Sequence, residues 1–101
     1  YAHLALLRAE ARTEDVAEAF LRAARDLART HPEAADVVFY APVPPSVAKV
    51  AGFERRQMLI ECASRATLQR LLALFTPELP ALRNAHRGVV RWAIDEDPLG
   101  I

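Results

Sequence analysis

Several residue types are scarce in this sequence, and each scarcity excludes a class of chemistry. A single cysteine, Cys62, rules out an internal disulfide and a zinc site built from cysteines. The glycines Gly52, Gly88 and Gly100 stand too far apart for a Gly-x-x-x-x-Gly-Lys phosphate loop or a dinucleotide-binding turn, so nucleotide hydrolysis by this chain is not expected. His3, His31 and His86 are scattered through a terminus and two loops without a second ligand at metal-binding spacing, and read as surface histidines. Neither charge sign prevails, since 13 Lys and Arg face 13 Asp and Glu. Any nucleic-acid site must therefore be a local patch rather than a property of the whole surface. No apolar run approaches the ~18 residues a membrane-spanning helix needs. No nucleophile stands beside a general base in a pattern that suggests a small enzyme.

What is present suits one globular domain: 101 residues, of which 52% are hydrophobic and 26% charged. A chain of this length buries about two-thirds of its unfolded surface. It begins at Tyr1 without methionine or a signal-like segment, which leads us to expect a single domain, residues 1–101, cut from a longer protein.

The organising stretch is 57–75, QMLIECASRATLQRLLALF. Met58, Ile60 and Cys62 alternate with Gln57, Leu59 and Glu61, the pattern of a strand with a dry face and a wetter one. Cys62 is thus expected as a core residue. Ser64 is placed to cap a helix whose apolar stripe is Leu68, Leu71, Leu72 and Phe75. Earlier, residues 4–11, LALLRAEA, suit strand or helix by propensity, and the new start signalled by Thr13, Glu14 and Asp15 favours strand. Val16, Ala19, Phe20, Ala23 and Leu27 form the expected inner face of the helix that follows, which ends near His31-Pro32. Val37 to Tyr40 reads as a short strand. A proline-rich loop, 41–56, carries Lys49, Arg55 and Arg56. After the 57–75 unit, Thr76-Pro77-Glu78 starts a fresh turn. Residues 89–95 alternate again, with Val90, Trp92 and Ile94 on the apolar side, so that Trp92 is expected in the core.

The order strand, helix, strand, strand, helix, strand predicts an α+β domain of the ferredoxin-like kind: a four-stranded antiparallel sheet with two helices on one face. Its open face would carry Arg8, Glu10, Gln57, Glu61, Arg91 and Asp95. Among candidate sites, the acidic run Asp95-Glu96-Asp97 reads as a solvated strand end, because alternate side chains point to opposite faces. Arg65 and Gln69 share a face at the start of the second helix. An arginine there opposes the helix dipole and would be relieved by a bound anion, although an ordinary polar edge explains the pair as well.

Taken together, these motifs resemble the C-terminal domain of the bacterial replication-restart helicase PriA (primosomal protein N-prime). The motifs are Pro42-Val43-Pro44, Gly52 with Arg55 and Gln57, Ser64-Arg65 with Leu68-Gln69, Arg91-Trp92, and Asp95 with Asp97-Pro98. The resemblance implies a fold like that of a small ribosomal protein. It implies an ATP-dependent 3'-5' DNA helicase as parent, with ATP, Mg and structural Zn used by modules outside this chain, which would itself be non-catalytic and hold no cofactor. The implied partners are forked and single-stranded DNA, primosome proteins, other domains of the same helicase, and the acidic C-terminal tail of single-stranded-DNA-binding protein (SSB). Arg65 and Gln69 fall on the motif implicated in tail binding. Where family members often carry an aromatic two residues after the loop glycine, this chain has Glu54, so the loop is expected to contact phosphates through Lys49, Arg55 and Arg56 rather than to stack on bases. The setting implied is the bacterial cytoplasm, at the nucleoid. A ferredoxin-like regulatory module that binds a small metabolite or self-associates is the alternative that fold alone leaves open.

Overall fold

The computed structural model describes residues 2–46 and 49–96, with the side chains of Lys49 and Val50 left out. Asp97 and Pro98, the end of the closing motif, lie outside the described residues.

Among the described residues, five strands and three α-helices follow one another as β1 (His3–Ala11), α1 (Glu14–Ala28), β2 (Val37–Phe39), β3 (Lys49–Val50), β4 (Phe53–Cys62), α2 (Arg65–Phe75), α3 (Leu79–Asn84) and β5 (Val89–Glu96). The main sheet is antiparallel in the order β2-β4-β1-β5, with β3 paired on β4. This is the ferredoxin-like arrangement. Helices α1 and α2 close one face, and their apolar side chains form a single core with the inner faces of β1, β2 and β4.

Local signals account for most boundaries. The Thr13 hydroxyl accepts from the Val16 N–H at 3.3 Å and starts α1. The Ser64 hydroxyl does the same for the Thr67 N–H at 3.2 Å and starts α2. Pro77 stops α2 in a 3-10 turn, Thr76–Glu78, from which α3 continues. A hydrogen bond of 2.7 Å between His31 Nε2 and Glu78 Oε1 ties that turn to the one before β2. β1 lacks β-branched residues yet forms the centre of the sheet, because pairing with β4 and β5 on both sides outweighs its helical propensity.

Three features depart from the reading of the sequence. The inner face of α1 is Ala17, Phe20, Leu21, Ala24 and Ala28, whereas Ala19 is exposed and Val16, Ala23 and Leu27 are only half-buried. The helix is alanine-rich on several sides, so apolar spacing alone does not choose the stripe. Alanines at 17, 24 and 28 let the helix lie close to the sheet, and that contact decides it. The second half of the proline-rich loop is a hairpin: β4 begins at Phe53, and the turn residues Ala51 and Gly52 have φ of 53° and 82°. Two such residues in succession match the twist of flanking strands. The prolines are confined to the first half, where Val43 alone bridges to Gln57, its N–H and C=O both engaged at 2.8 Å. The third departure is in β5, where the register with β1 shifts so that Ala11 faces Val89 and Glu10 faces Arg91. Val90 is the extra residue of a bulge. It is therefore exposed, and Val89 takes the buried place expected of it. Trp92 and Ile94 remain on the core side, partly buried.

The turn into β5 passes close to α1. A Cβ placed on Gly88 would lie 2.8 Å from Cγ1 of Val16. Gly88→Ala should therefore cost about 1–3 kcal/mol in urea denaturation. Adding Val16→Ala should make the second step nearly free, whereas a penalty at Gly88 that persists in the Val16→Ala background would place its origin in the backbone.

Candidate functional site

Consecutive residues of a strand point to opposite faces, and in β4 this separates Arg55 from Arg56. Arg56 points inward beside α1. Its guanidinium donates to Glu14 Oε2 at 2.6 Å, to Glu18 Oε2 at 3.3 Å and to the Arg55 carbonyl at 2.7 Å. Glu54 stands 3.7 Å away, and only 8% of the Arg56 side chain is exposed. The acids come from the first turns of α1, where they also suit the helix dipole. Arg56, expected from the sequence as a phosphate contact of a basic loop, is thus a packing residue. Its fork is engaged by two carboxylates and a carbonyl.

Arg55 lies on the open face, opposite Glu10 of β1. Lys49 is set by the hairpin register opposite Glu54. The three basic residues that the sequence placed together are therefore divided between two faces, with Lys49 and Arg55 left at the hairpin and the open sheet.

Antiparallel pairing assembles a second set of arginines. Arg8 of β1 sits between Gln57 of β4 and Ala93 of β5, and in the next row Glu10 sits between Arg55 and Arg91. These rows floor a cleft of about 550 Å³, with Pro45 and Ser46 of the proline-rich segment as one wall. Arg8 reaches Asp95 at 3.1 Å, and Arg91, 77% exposed, reaches Glu10 at 3.9 Å. The sequence alone put Arg8 and Arg91 on the open face but not in a site, because what unites them is the β1/β5 register, which the Val89-Val90 bulge shifts by one residue. At the other end of the same face the Tyr40 hydroxyl donates to the Glu61 carboxylate. That hydrogen bond, and then the carboxylate's charge, raise the phenol above its ordinary pKa.

The helical side of the sheet carries a different surface. Arg65 and Gln69 are both exposed on α2. Gln69 borders a groove of about 530 Å³ between α2 and β5, floored by Leu72, Ala73 and Ile94 and ending at Thr76, Pro77 and Glu96. Arg65 stands one turn before Gln69, outside the groove lining. Among the described residues no group of three or more His, Cys, Asp or Glu is placed to hold a metal ion, and no helix is long and apolar enough to cross a membrane.

Solved structures share the fold at low identity. A de novo designed protein, Foldit4, superposes with a TM-score of 0.64 at 12% identity, over 95% of this chain and 96% of its own. A dimeric ferredoxin-like protein from an uncultured marine organism gives 0.58 at 16% identity, over 94% of this chain and 84% of its own. No curated protein sequence matches significantly. The family described as Primosomal protein N C-terminal domain matches residues 1–99.

The enclosure of Arg56 sets an expected cost for removing it. Because Glu14 is 62% exposed and can return to water, Arg56→Gln should destabilise by about 2 kcal/mol, less than the loss of a fully buried pair. Arg56→Lys should recover less than half of this in a urea titration, since a single ammonium cannot span two carboxylates and a carbonyl. Full recovery by lysine would mean that charge alone matters at this position.

Proposed function

The chain belongs to the primosomal protein N C-terminal domain family, a replication-restart family, and on that footing we propose that it is a non-catalytic accessory domain that binds DNA and the SSB tail. The parent, on this reading, is an ATP-dependent 3'-5' helicase that restarts stalled forks in the bacterial cytoplasm. These 101 residues are one domain of it. ATP, Mg and structural Zn belong to its other modules, and this chain contributes binding alone.

The observation that carries the reading is the surface around α2. An SSB tail is an acidic peptide, and such a peptide needs a cation for its carboxylates and an apolar seat for its side chains. Arg65 and Gln69 stand exposed one turn apart beside a groove whose floor is Leu72 and Ile94. The start of α2 adds its dipole, and the first turn holds no acidic residue to cancel it. For DNA, the reading rests on Lys49 in the β3–β4 hairpin and on Arg55 on the open face. Arg56, paired with Glu14 and Glu18, is given a packing role on this reading.

Arg65→Ala and Gln69→Ala should each weaken binding of an SSB tail peptide, measured in the intact helicase where neighbouring domains complete the pocket. A loss of about threefold to tenfold is expected for each, with folding unchanged. Unaltered affinity in both variants would remove the assignment. Lys49→Ala with Arg55→Ala should lower the affinity for forked DNA and flatten its salt dependence by about 0.7–0.9 of slope per lost phosphate contact. Adding Arg56→Gln should change stability far more than slope.

A further inference from the structure

From the open-face cleft we infer that a single phosphodiester chain is threaded across the sheet between the proline-rich segment and β5, held by Arg8, Arg55 and Arg91. The inference rests on the DNA-binding reading above and goes beyond it, because it moves the principal contact from the hairpin to the centre of the sheet and names the residues that hold the strand there.

Charge comes first. Arg8, Arg55 and Arg91 line the cleft against Glu10, a local cationic excess in a chain of zero net charge. Arg8 offers one Nη to Asp95 at 3.1 Å, and Arg91 only its Nε to Glu10 at 3.9 Å. A guanidinium has five N–H donors, so most of those on Arg8 and Arg91 are uncommitted among the described residues. Exposed pairs of this kind are held by no more than about 1 kcal/mol. A phosphate can take a two-pronged contact from a guanidinium, whereas each of these carboxylates engages a single nitrogen.

Shape decides between ligands. The floor at Ala93 is small and exposed, so a chain can lie against the sheet, while Pro45 and Ser46 bound one side. A recess of about 550 Å³ has room for a short stretch of one sugar–phosphate chain. Ser46 and Gln57 supply polar groups for sugar or phosphate oxygens. An acidic peptide would need apolar seats between its charges, and the exposed apolar part of the floor is Ala93 alone, with Ala9 buried and Trp92 and Pro45 half-buried. Trp92 borders the cleft but is partly buried against the core, so that among the described residues the arginines are the groups best placed to hold a ligand there. Binding should therefore ignore base identity.

The test uses the 101-residue chain and a fluorescent dodecamer of deoxythymidine, titrated at several salt concentrations. Wild type should bind, with an affinity that falls as salt rises. Arg8→Gln with Arg91→Gln should weaken binding at least tenfold at low salt and reduce the slope by about 1.4, or about 0.7 per lost contact. Ala93→Glu, which places a negative charge on the floor without removing any pair, should do the same. Asp95→Asn should tighten binding about twofold to fivefold by releasing Arg8. Thermal unfolding of each variant separates these effects from loss of fold. Affinity and slope retained in the double arginine variant, or no gain in Asp95→Asn, would overturn the cleft. If that happens while Lys49→Ala loses binding, the hairpin reading survives alone; if wild type binds neither the dodecamer nor forked DNA, that reading falls as well. Equal competition by a blunt duplex would overturn the single-strand assignment, and equal competition by polyglutamate would assign the cleft to an acidic peptide instead.

Discussion

An arginine on the inner face of a sheet is tolerated only if carboxylates come to it, and the arrangement of this domain follows from how Arg56 is served. Glu14 and Glu18 lie one turn apart on α1, and both reach the guanidinium. This fastens the first half of α1 over β4 and fixes the rotation of the helix about its axis. The same rotation turns Ala17, Phe20, Leu21 and Ala24 into the core. Arg56 also donates to the carbonyl of Arg55, so the strand is held where its next side chain emerges on the opposite face. One interior ion cluster thereby sets both the packing of the helix and the presentation of an outer arginine.

Much of this architecture could be read from residue order. The 57–75 unit was fully legible, because an alternating strand, a serine cap and a stripe at helical spacing each point to one structure. Met58, Ile60, Cys62, Leu68, Leu71, Leu72 and Phe75 are all buried. The face of α1 was not legible, because alanine is neutral about burial and the helix carries it on several sides. The close packing of Ala17, Ala24 and Ala28 on the sheet, together with the pairing of Glu14 and Glu18 with a residue some forty positions away, selects the stripe. The hairpin at Ala51-Gly52 was hidden by the prolines before it, which made the whole segment look irregular. An arginine run inside a basic loop gives no sign that alternate members face opposite ways until the loop is known to be a strand. That is why Arg55 and Arg56 were grouped in the sequence and separate in the fold.

The domain presents two surfaces of different chemistry on opposite sides of one thin sheet. On the helical side, Arg65 and Gln69 stand beside a mainly apolar groove. On the open side, arginines from three strands are interleaved with acids that hold them loosely. A protein with no net charge can still contact anions in this way, because the balancing acids are placed where a stronger anion can displace them or are withdrawn into the Arg56 cluster. Glu14 and Glu18 count against the chain's net charge, yet they contribute little to the potential over the open face, since Arg56 and Arg22 pair with them on the far side of the sheet.

The bulge in β5 has a consequence for solubility. β5 is an outer strand of the sheet, and a long regular outer strand is a template on which another chain can pair. The extra residue at Val90 breaks the spacing of backbone donors and acceptors near one end, and Arg91, Asp95 and Glu96 bring charge along the rest. A second molecule attempting to extend the sheet would meet an interrupted ladder. The irregularity that aligns Arg91 with Glu10 is thus also a guard against fibrous self-assembly, and it leaves this rim of the domain available to partners that do not bind as strands.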